Sequence, residues 1–335
     1  MRHFHTIAIL FALFFTPIHA IAQGPAKPPK ANPAAKTEGK TPPPNKEYVS
    51  STKAIDAAGQ KQINDFIADR AGQITNGDPK NVRQATNEVL AILRQSTATP
   101  IFWRACSESL KPFVTKIIAT KDEFRISNLL QIIRWMRSPE ALDILIEQAT
   151  PAIQKDGIVR ISASRLLSGC IASANLTAPQ IDSAARRIRE AAEAENNWIA
   201  SVHDLQALSA MSLASQSSQF IPQVKISRDE FLKVIAGTIT KASKPTDSQE
   251  IFAVQRGMIL LRDMLLNNSS PAEKNAISAS IRTITLSASQ VGKQLGTSTT
   301  SADASIVQSA KSVEILAGVI DKLLSSTAAQ PKSPS

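Results

Sequence analysis

The residues best suited to acid–base chemistry lie in the segment Ser201-Val-His203-Asp204, which places a serine, a histidine and an aspartate within four positions. A nucleophilic triad needs these side chains to converge, but helix neighbours one or two residues apart point in different directions. We therefore predict that His203 lies on a helix surface or between helices. The other three histidines fall within a predicted export signal, so a zinc site would have few ligands to draw on.

Carboxylates are the second source of chemistry. Neighbouring acidic residues occur at three places: Asp122/Glu123, Asp229/Glu230 and Asp247/Glu250. Each pair stands where a helix is expected to begin, and acidic side chains there stabilise the helix dipole without any catalytic role. The sequence has no nucleophile elbow or glycine-rich phosphate loop. We predict a non-catalytic protein without cofactor or metal; the alternative is a carboxylate-dependent hydrolase or lyase acting on an envelope polymer.

Arginines are the third source, in a chain whose net charge is +10. Candidates for binding an acidic partner are Arg134 and Arg137, which flank Trp135, and Arg186, Arg187 and Arg189, which share one amphipathic helix. The alternative is a solvated helix face, because acidic residues follow directly after position 189. Nucleic acid is not a predicted partner, since export would separate the chain from it and aromatic and basic residues do not interleave.

The N-terminus predicts export. Arg2 precedes nine consecutive apolar residues, Ile7 to Phe15, and Ala20-Ile-Ala22 has the small-residue spacing of a cleavage site. The apolar run is shorter than the roughly 20 residues that span a bilayer core, so a cleaved signal peptide over residues 1–22 is favoured over a membrane anchor. The predicted location is the bacterial periplasm, with secretion as the second choice. No transmembrane segment is expected in the mature chain.

Composition divides the rest of the chain. Residues 23–47 are rich in proline and lysine and predict a disordered tether, and residues 325–335 predict a disordered tail. Strand patterns are weak between them, so the predicted fold class is all-α. A hydroxyl residue beside a proline predicts helix starts at Thr99-Pro100, Ser138-Pro139, Thr177-Ala-Pro179 and Ser270-Pro271.

A short phrase recurs in the first half of the helical region: an acidic residue, an apolar–Arg pair, then leucines a turn or two later. The apolar–Arg pairs begin at Val82, Phe124 and Val159, which are 42 and 35 residues apart. This phrase is similar to the start of the second helix of a HEAT repeat. The resemblance covers residues 78–172 and is lost beyond 195. The structural repeat positions are Asp78, Val82, Arg83, Asp122, Arg125, Asp156, Val159 and Arg160.

The resemblance implies an α-solenoid of stacked antiparallel helix pairs over residues 48–195. Further repeats, or an irregular helical bundle, would follow over residues 196–324. It also implies that Arg83, Arg125 and Arg160 each pair with an aspartate of their own or the next unit. Solenoids expose extended binding surfaces, so the predicted function is an exported scaffold that binds another protein of the cell envelope.

The two cysteines, Cys106 and Cys170, are 64 residues apart, and each lies in an apolar helical stretch. An oxidising compartment would allow a disulfide between them. Stacked helix pairs would keep them beyond bonding distance, so buried free thiols are favoured.

Overall fold

The computed structural model describes residues 41–214, 221–267, 271–297 and 303–328. These residues form thirteen α-helices and one 3₁₀ helix, and no β-strand occurs among them. The predicted all-α class is therefore confirmed. The predicted signal peptide, most of the tether and most of the C-terminal tail lie outside the described residues.

The helices cover nearly all of the described chain. They are α1 (Lys46–Val49), α2 (Ala57–Asn76), α3 (Pro79–Leu93), α4 (Pro100–Ile118), α5 (Glu123–Arg134), α6 (Pro139–Ala149), α7 (Gly157–Ile171), α8 (Ala178–Ala194), α9 (Trp198–Ala214), α10 (Ile221–Ala242), α11 (Ile251–Asn267), α12 (Pro271–Gly296) and α13 (Ala304–Ala328), with the 3₁₀ helix Pro245–Glu250 between α10 and α11. None of these helices combines the length and the apolar character needed to cross a membrane.

Side-chain caps set the starts of several helices. Thr99 caps α4 by accepting a hydrogen bond from the backbone N–H of Phe102 at 3.3 Å, and Pro100 takes the first helical position. Ser138 caps α6 in the same way, through the N–H of Ala141 at 3.2 Å. These oxygens satisfy N–H groups that have no partner inside the helix. The helix starts predicted at these two places are confirmed.

The folded part of the chain extends further at both ends than residues 48–324. The N–H of Thr41 donates to Asp69 Oδ2 at 3.0 Å, and its carbonyl oxygen accepts from Arg70 Nη2 at 2.9 Å. Arg70 is buried, so its guanidinium needs acceptors, and the segment before α1 supplies one of them. At the other end α13 runs to Ala328, because no helix-breaking residue interrupts the sequence there.

Alternate helices pack on one another in two series. In the odd series, each helix from α3 to α11 contacts the next odd-numbered helix, ending with α13. In the even series, α2 contacts α4, and each helix from α6 to α10 contacts the next even-numbered helix, ending with α12. Consecutive helices join the two series, most extensively α12 with α13. Most helices thus bury one face against neighbours from both series.

Apolar stripes at three- and four-residue spacing form these contacts. The stripe of α6 is buried along its whole length: Leu142, Leu145, Ile146 and Ala149. α12 and α13 approach closely at Gly292, where an added Cβ would lie 2.8 Å from the carbonyl oxygen of Ala310 and 3.2 Å from the nitrogen of Glu314. Only a residue without a side chain allows the two backbones this separation.

Candidate anion-binding site

A cavity of about 360 Å³ lies where the C-terminal end of α3 meets α5 and α7. We call it the arginine pocket. Its lining consists of Arg94, Ser127, Gln131, Arg134, Trp135, Ser162, Arg165 and Leu166. Three of these residues are cationic, and none of the described residues in the lining is acidic.

Three successive helices of the odd series supply the arginines. Arg94 is the C-cap of α3, Arg134 is the last residue of α5, and Arg165 lies within α7. At the ends of α3 and α5 a positive side chain stabilises the negative end of the helix dipole. Arg165 has no such local role. Packing of α3, α5 and α7 therefore gathers positive charge at one surface.

Trp135 contacts two of the pocket arginines, and Trp103 contacts a third arginine beside the pocket. The guanidinium carbons of Arg94 and Arg134 lie 5.0 Å and 4.8 Å from the centre of the Trp135 ring. Arg137 lies 3.9 Å from the ring centre of Trp103, and the indole N–H of Trp103 donates to the last turn of α3. Cation–π contacts of this kind are worth about 0.5–1 kcal/mol at exposed sites and more when desolvated. The contacts restrict where the guanidinium groups can point.

Arg137 also lies at a special backbone position. Its φ is 51°, in the left-handed region that a non-glycine residue adopts rarely. Burial, and then the neighbouring charge of Arg134, lower the pKa of Arg137. Arg137 does not line the pocket itself, and its side chain packs on the tryptophan ring beside the pocket.

Gly169 of α7 makes room for one of the pocket arginines. A Cβ added at Gly169 would overlap the guanidinium group of Arg134. The guanidinium therefore lies directly on the backbone of α7. A side chain at position 169 would force it to another position.

The positive charge of the pocket is not neutralised within the described ranges. Arg94, Arg134 and Arg165 form no ion pair there; Arg134 is half-buried, and Arg94 and Arg165 are exposed. The hydroxyl of Ser127 donates to Ser162 Oγ at 3.1 Å, which uses one of the two hydroxyl hydrogens. The pocket therefore offers many hydrogen-bond donors and a local excess of positive charge, which together can bind an anion.

The predicted arginines of α8 lie elsewhere and are differently engaged. Arg187 pairs with Asp143 of α6. Arg189 pairs with acidic residues of its own helix and, at 2.7 Å, with Glu230 of α10. Arg186 is exposed and forms no ion pair among the described residues. The five candidate arginines thus divide into Arg134 and Arg137 at or beside the pocket, and three on α8 that do not reach it.

Two pocket arginines, Arg94 and Arg165, are absent from the sequence-based candidates. The two serines could have been found, because Ser127 and Ser162 are 35 residues apart, the same separation as Phe124 and Val159. Equivalent repeat positions lie side by side when successive units stack. Arg94 and Arg165 do not share such a spacing, and only the packing of α3 against α5 and of α5 against α7 brings them together.

The recurring aspartates cap the helices that follow them. Asp78, Asp122 and Asp156 are the N-caps of α3, α5 and α7, and each accepts at least one backbone hydrogen bond. Val82 and Val159 are buried in the core. These positions stabilise helix starts and packing.

The recurring arginines differ from one another. Arg125 pairs with Asp122 at 3.0 Å and also donates to the carbonyl oxygens of Ile74, Thr75 and Gly77 at the end of α2. The predicted pairing of Arg125 with an aspartate of its own unit is therefore confirmed.

Arg160 binds a glutamate instead of an aspartate. Its Nε and Nη2 donate to the two carboxylate oxygens of Glu195 at 2.6 Å and 3.0 Å. Arg83 is exposed, and its guanidinium lies 5.3 Å from the centre of the Phe124 ring. For both residues the expected aspartate pairing is wrong, because the partner within reach comes from another helix or is aromatic.

The Ser-His-Asp segment lies along α9 without forming a catalytic arrangement. His203 Nδ1 lies 2.9 Å from the side-chain amide of Gln206, one turn further along the helix. Asp204 points into the interior and is completely buried. The side chains of His203 and Asp204 therefore lie in different environments, as their spacing along the helix predicts.

Asp204 lies in a buried polar cluster of α7, α8, α9 and α10. Ser164 faces it, but neither carboxyl oxygen of Asp204 accepts an aligned hydrogen bond among the described residues. Burial raises the pKa of Asp204 to about 7; the negative charge of Glu195 adds to the rise, and Ser164 and Lys241 oppose it. Lys241 Nζ donates to the carbonyl oxygens of Ala192 at 3.0 Å and Glu195 at 2.5 Å.

Cys106 and Cys170 are both buried, and neither forms a disulfide. Burial raises the pKa of Cys106 far above its ordinary value and that of Cys170 to about 12. No group of three or more His, Cys, Asp or Glu residues in the described part of the chain is arranged to hold a metal ion.

No family model matches the chain, and no curated protein is significantly similar to it.

Proposed function

We propose that the protein is an exported, non-catalytic scaffold of HEAT-like helical repeats that binds an acidic surface of another protein in the cell envelope. The arginine pocket carries this proposal, because it presents three guanidinium groups and no acidic residue among the described residues of its lining. Export to the periplasm is inferred from the sequence of residues 1–22.

The pattern of helix contacts supports the solenoid. In a stack of helix pairs, equivalent helices of neighbouring pairs contact one another, and each pair joins the two layers. The odd series from α3 to α13 has such contacts without a break. Arg125 adds a polar link between units, since it connects α5 to the end of α2.

The environment of the acidic residues supports a non-catalytic role. Asp122 caps α5 and pairs with Arg125. Glu230 lies inside α10, so the helix start expected at Asp229/Glu230 is wrong; Glu230 is buried and pairs with Arg189 and Lys233. Carboxylates held in this way contribute to helix starts and to inter-helix contacts, which accounts for them without a hydrolytic reaction.

Photocrosslinking within the pocket tests the proposal. The mature chain would carry a photoreactive residue at position 131, and intact envelope would be irradiated. We expect one or a few specific protein adducts. Their yield should fall at least tenfold when Arg94→Glu and Arg165→Glu reverse two of the pocket charges, because like charges facing an acidic partner suppress binding.

The matched control is Arg186→Glu, which reverses an exposed arginine outside the pocket. It should leave the adducts unchanged. Adducts that persist after reversal of Arg94 and Arg165, or the absence of any protein adduct, would contradict the proposal.

A further inference from the structure

We propose that the arginine pocket is a binding site for a phosphate monoester. This inference deepens the proposed function and rests on it: the acidic group that the partner presents to the pocket is a phosphoryl group and not a carboxylate.

The number of charges in the pocket favours this ligand. A phosphate monoester carries about −1.5 to −2 charge at pH 7 and has three terminal oxygens. A carboxylate or a phosphodiester carries one charge and two such oxygens. A monoester therefore has one terminal oxygen for each of the three arginines that line the pocket, Arg94, Arg134 and Arg165. Guanidinium groups bind phosphate oxygens in a two-pronged geometry.

The neutral polar groups of the pocket fit the same ligand. Ser127 donates to Ser162, which leaves the hydroxyl hydrogen of Ser162 available. The amide of Gln131 adds further donors. Because no acidic side chain among the described residues lines the cavity, an anion entering it meets donors from α3, α5 and α7.

The size of the cavity limits what carries the phosphoryl group. A volume of about 360 Å³ lies at the lower end of the range of small-ligand pockets, about 300–1,000 Å³. It holds a phosphoryl group together with a few atoms of its carrier. A phosphorylated serine side chain and a small phosphorylated molecule both meet this limit.

Binding can be measured on the mature chain with defined probes. Titrations at low ionic strength would use inorganic phosphate, O-phosphoserine, a phosphoserine peptide and glycerol 3-phosphate, with succinate and a phosphodiester as comparisons. Calorimetry and tryptophan fluorescence would report binding, since Trp135 lines the pocket. We expect saturable binding of the monoesters, and at least tenfold weaker binding of succinate and the diester.

Three variants locate the binding site. Arg165→Gln and Arg94→Gln should each weaken O-phosphoserine binding roughly 10- to 100-fold, the usual effect of losing hydrogen bonds to a charged group. Arg186→Gln, the matched control, should not change it. Binding should also weaken below about pH 6, where the monoester gains a proton and loses one charge.

The outcomes separate this inference from the proposed function. Binding of succinate as tightly as O-phosphoserine, or unchanged binding by Arg165→Gln with native circular dichroism, would overturn the inference. Crosslinked adducts that depend on Arg94 and Arg165, without any phosphate binding, would overturn the inference alone. Phosphate binding without an arginine-dependent protein adduct would overturn the proposed protein-binding function but would still support the phosphate-binding site. Tighter binding of the phosphoserine peptide than of glycerol 3-phosphate would assign the group to a protein.

Discussion

The buried carboxyl of Asp204 makes the stability of the protein depend on pH. In the folded chain its pKa is raised to about 7 from an ordinary value of 3.8, mainly by burial. The folded state therefore binds a proton more tightly than the unfolded state, and stability falls as the pH rises from about 4 to about 7. A shift of about three pKa units corresponds to about 4 kcal/mol, at 1.36 kcal/mol per unit. Above pH 8 the loss should be complete.

The variant Asp204→Asn tests this directly, because asparagine resembles the protonated acid and does not ionise. Urea unfolding would be measured for both chains from pH 4 to pH 8. We expect the free energy of unfolding of the variant, minus that of the native chain, to increase by about 4 kcal/mol over this range. Comparing the difference across pH removes any constant cost of fitting the amide beside Ser164.

The matched control is Asp65→Asn, since Asp65 is exposed and pairs with Lys61 within its own helix. Its difference from the native chain should stay within about 0.5 kcal/mol at every pH. The reasoning is refuted if the difference for Asp204→Asn is the same at pH 4 and pH 8. That result would mean that Asp204 is ionised in the fold and compensated by the neighbouring Lys241.

Three further substitutions test the packing and the pocket. Gly169→Ala should weaken O-phosphoserine binding about tenfold by displacing Arg134, while urea unfolding changes by no more than about 1 kcal/mol, because alanine favours the helix. Gly292→Ala should lower the melting temperature in a calorimetric scan by several degrees, because its Cβ meets the backbone of α13 and must push the helix away. Arg160→Met should cost about 3–5 kcal/mol in urea unfolding, because it leaves the carboxylate of Glu195 buried without its partner.

Two control substitutions within the chain accompany these variants. Gly72→Ala adds a Cβ that meets nothing within 4 Å, so it should be neutral or slightly stabilising. A destabilisation of similar size by Gly72→Ala would show that the effect at position 292 is not steric. Arg186→Met removes an exposed arginine and should cost less than about 0.5 kcal/mol. If Arg160→Met is equally harmless, the Arg160–Glu195 pair contributes little.

Local features of the fold could be predicted from the sequence. Thr99 and Ser138 mark helix starts because capping involves only residues within one turn. The helical class followed from apolar spacing, which is also local.

Features that depend on packing could not be predicted in the same way. Arg160 was expected to find an aspartate, and the residue that reaches it is Glu195, 35 residues away at the end of α8. The arginine pocket requires three helices to lie side by side, so Arg94 and Arg165 carry no pattern that identifies them in advance. Asp204 appeared as a neighbour of His203, whereas its burial by α7 and α10 determines its chemistry.

The turn between α8 and α9 should open less readily than most turns between helices. The backbone N–H groups of Asn196 and Asn197 each donate to Glu195 Oε1 at 2.9 Å, while Arg160 donates to the carboxylate of the same residue and Lys241 to its carbonyl oxygen. Amide hydrogens in inter-helix turns usually exchange quickly with solvent, because such turns open with little cost. Here the exchange should be as slow as in the flanking helices. A hinge between the earlier and later helices would therefore have to form at another turn.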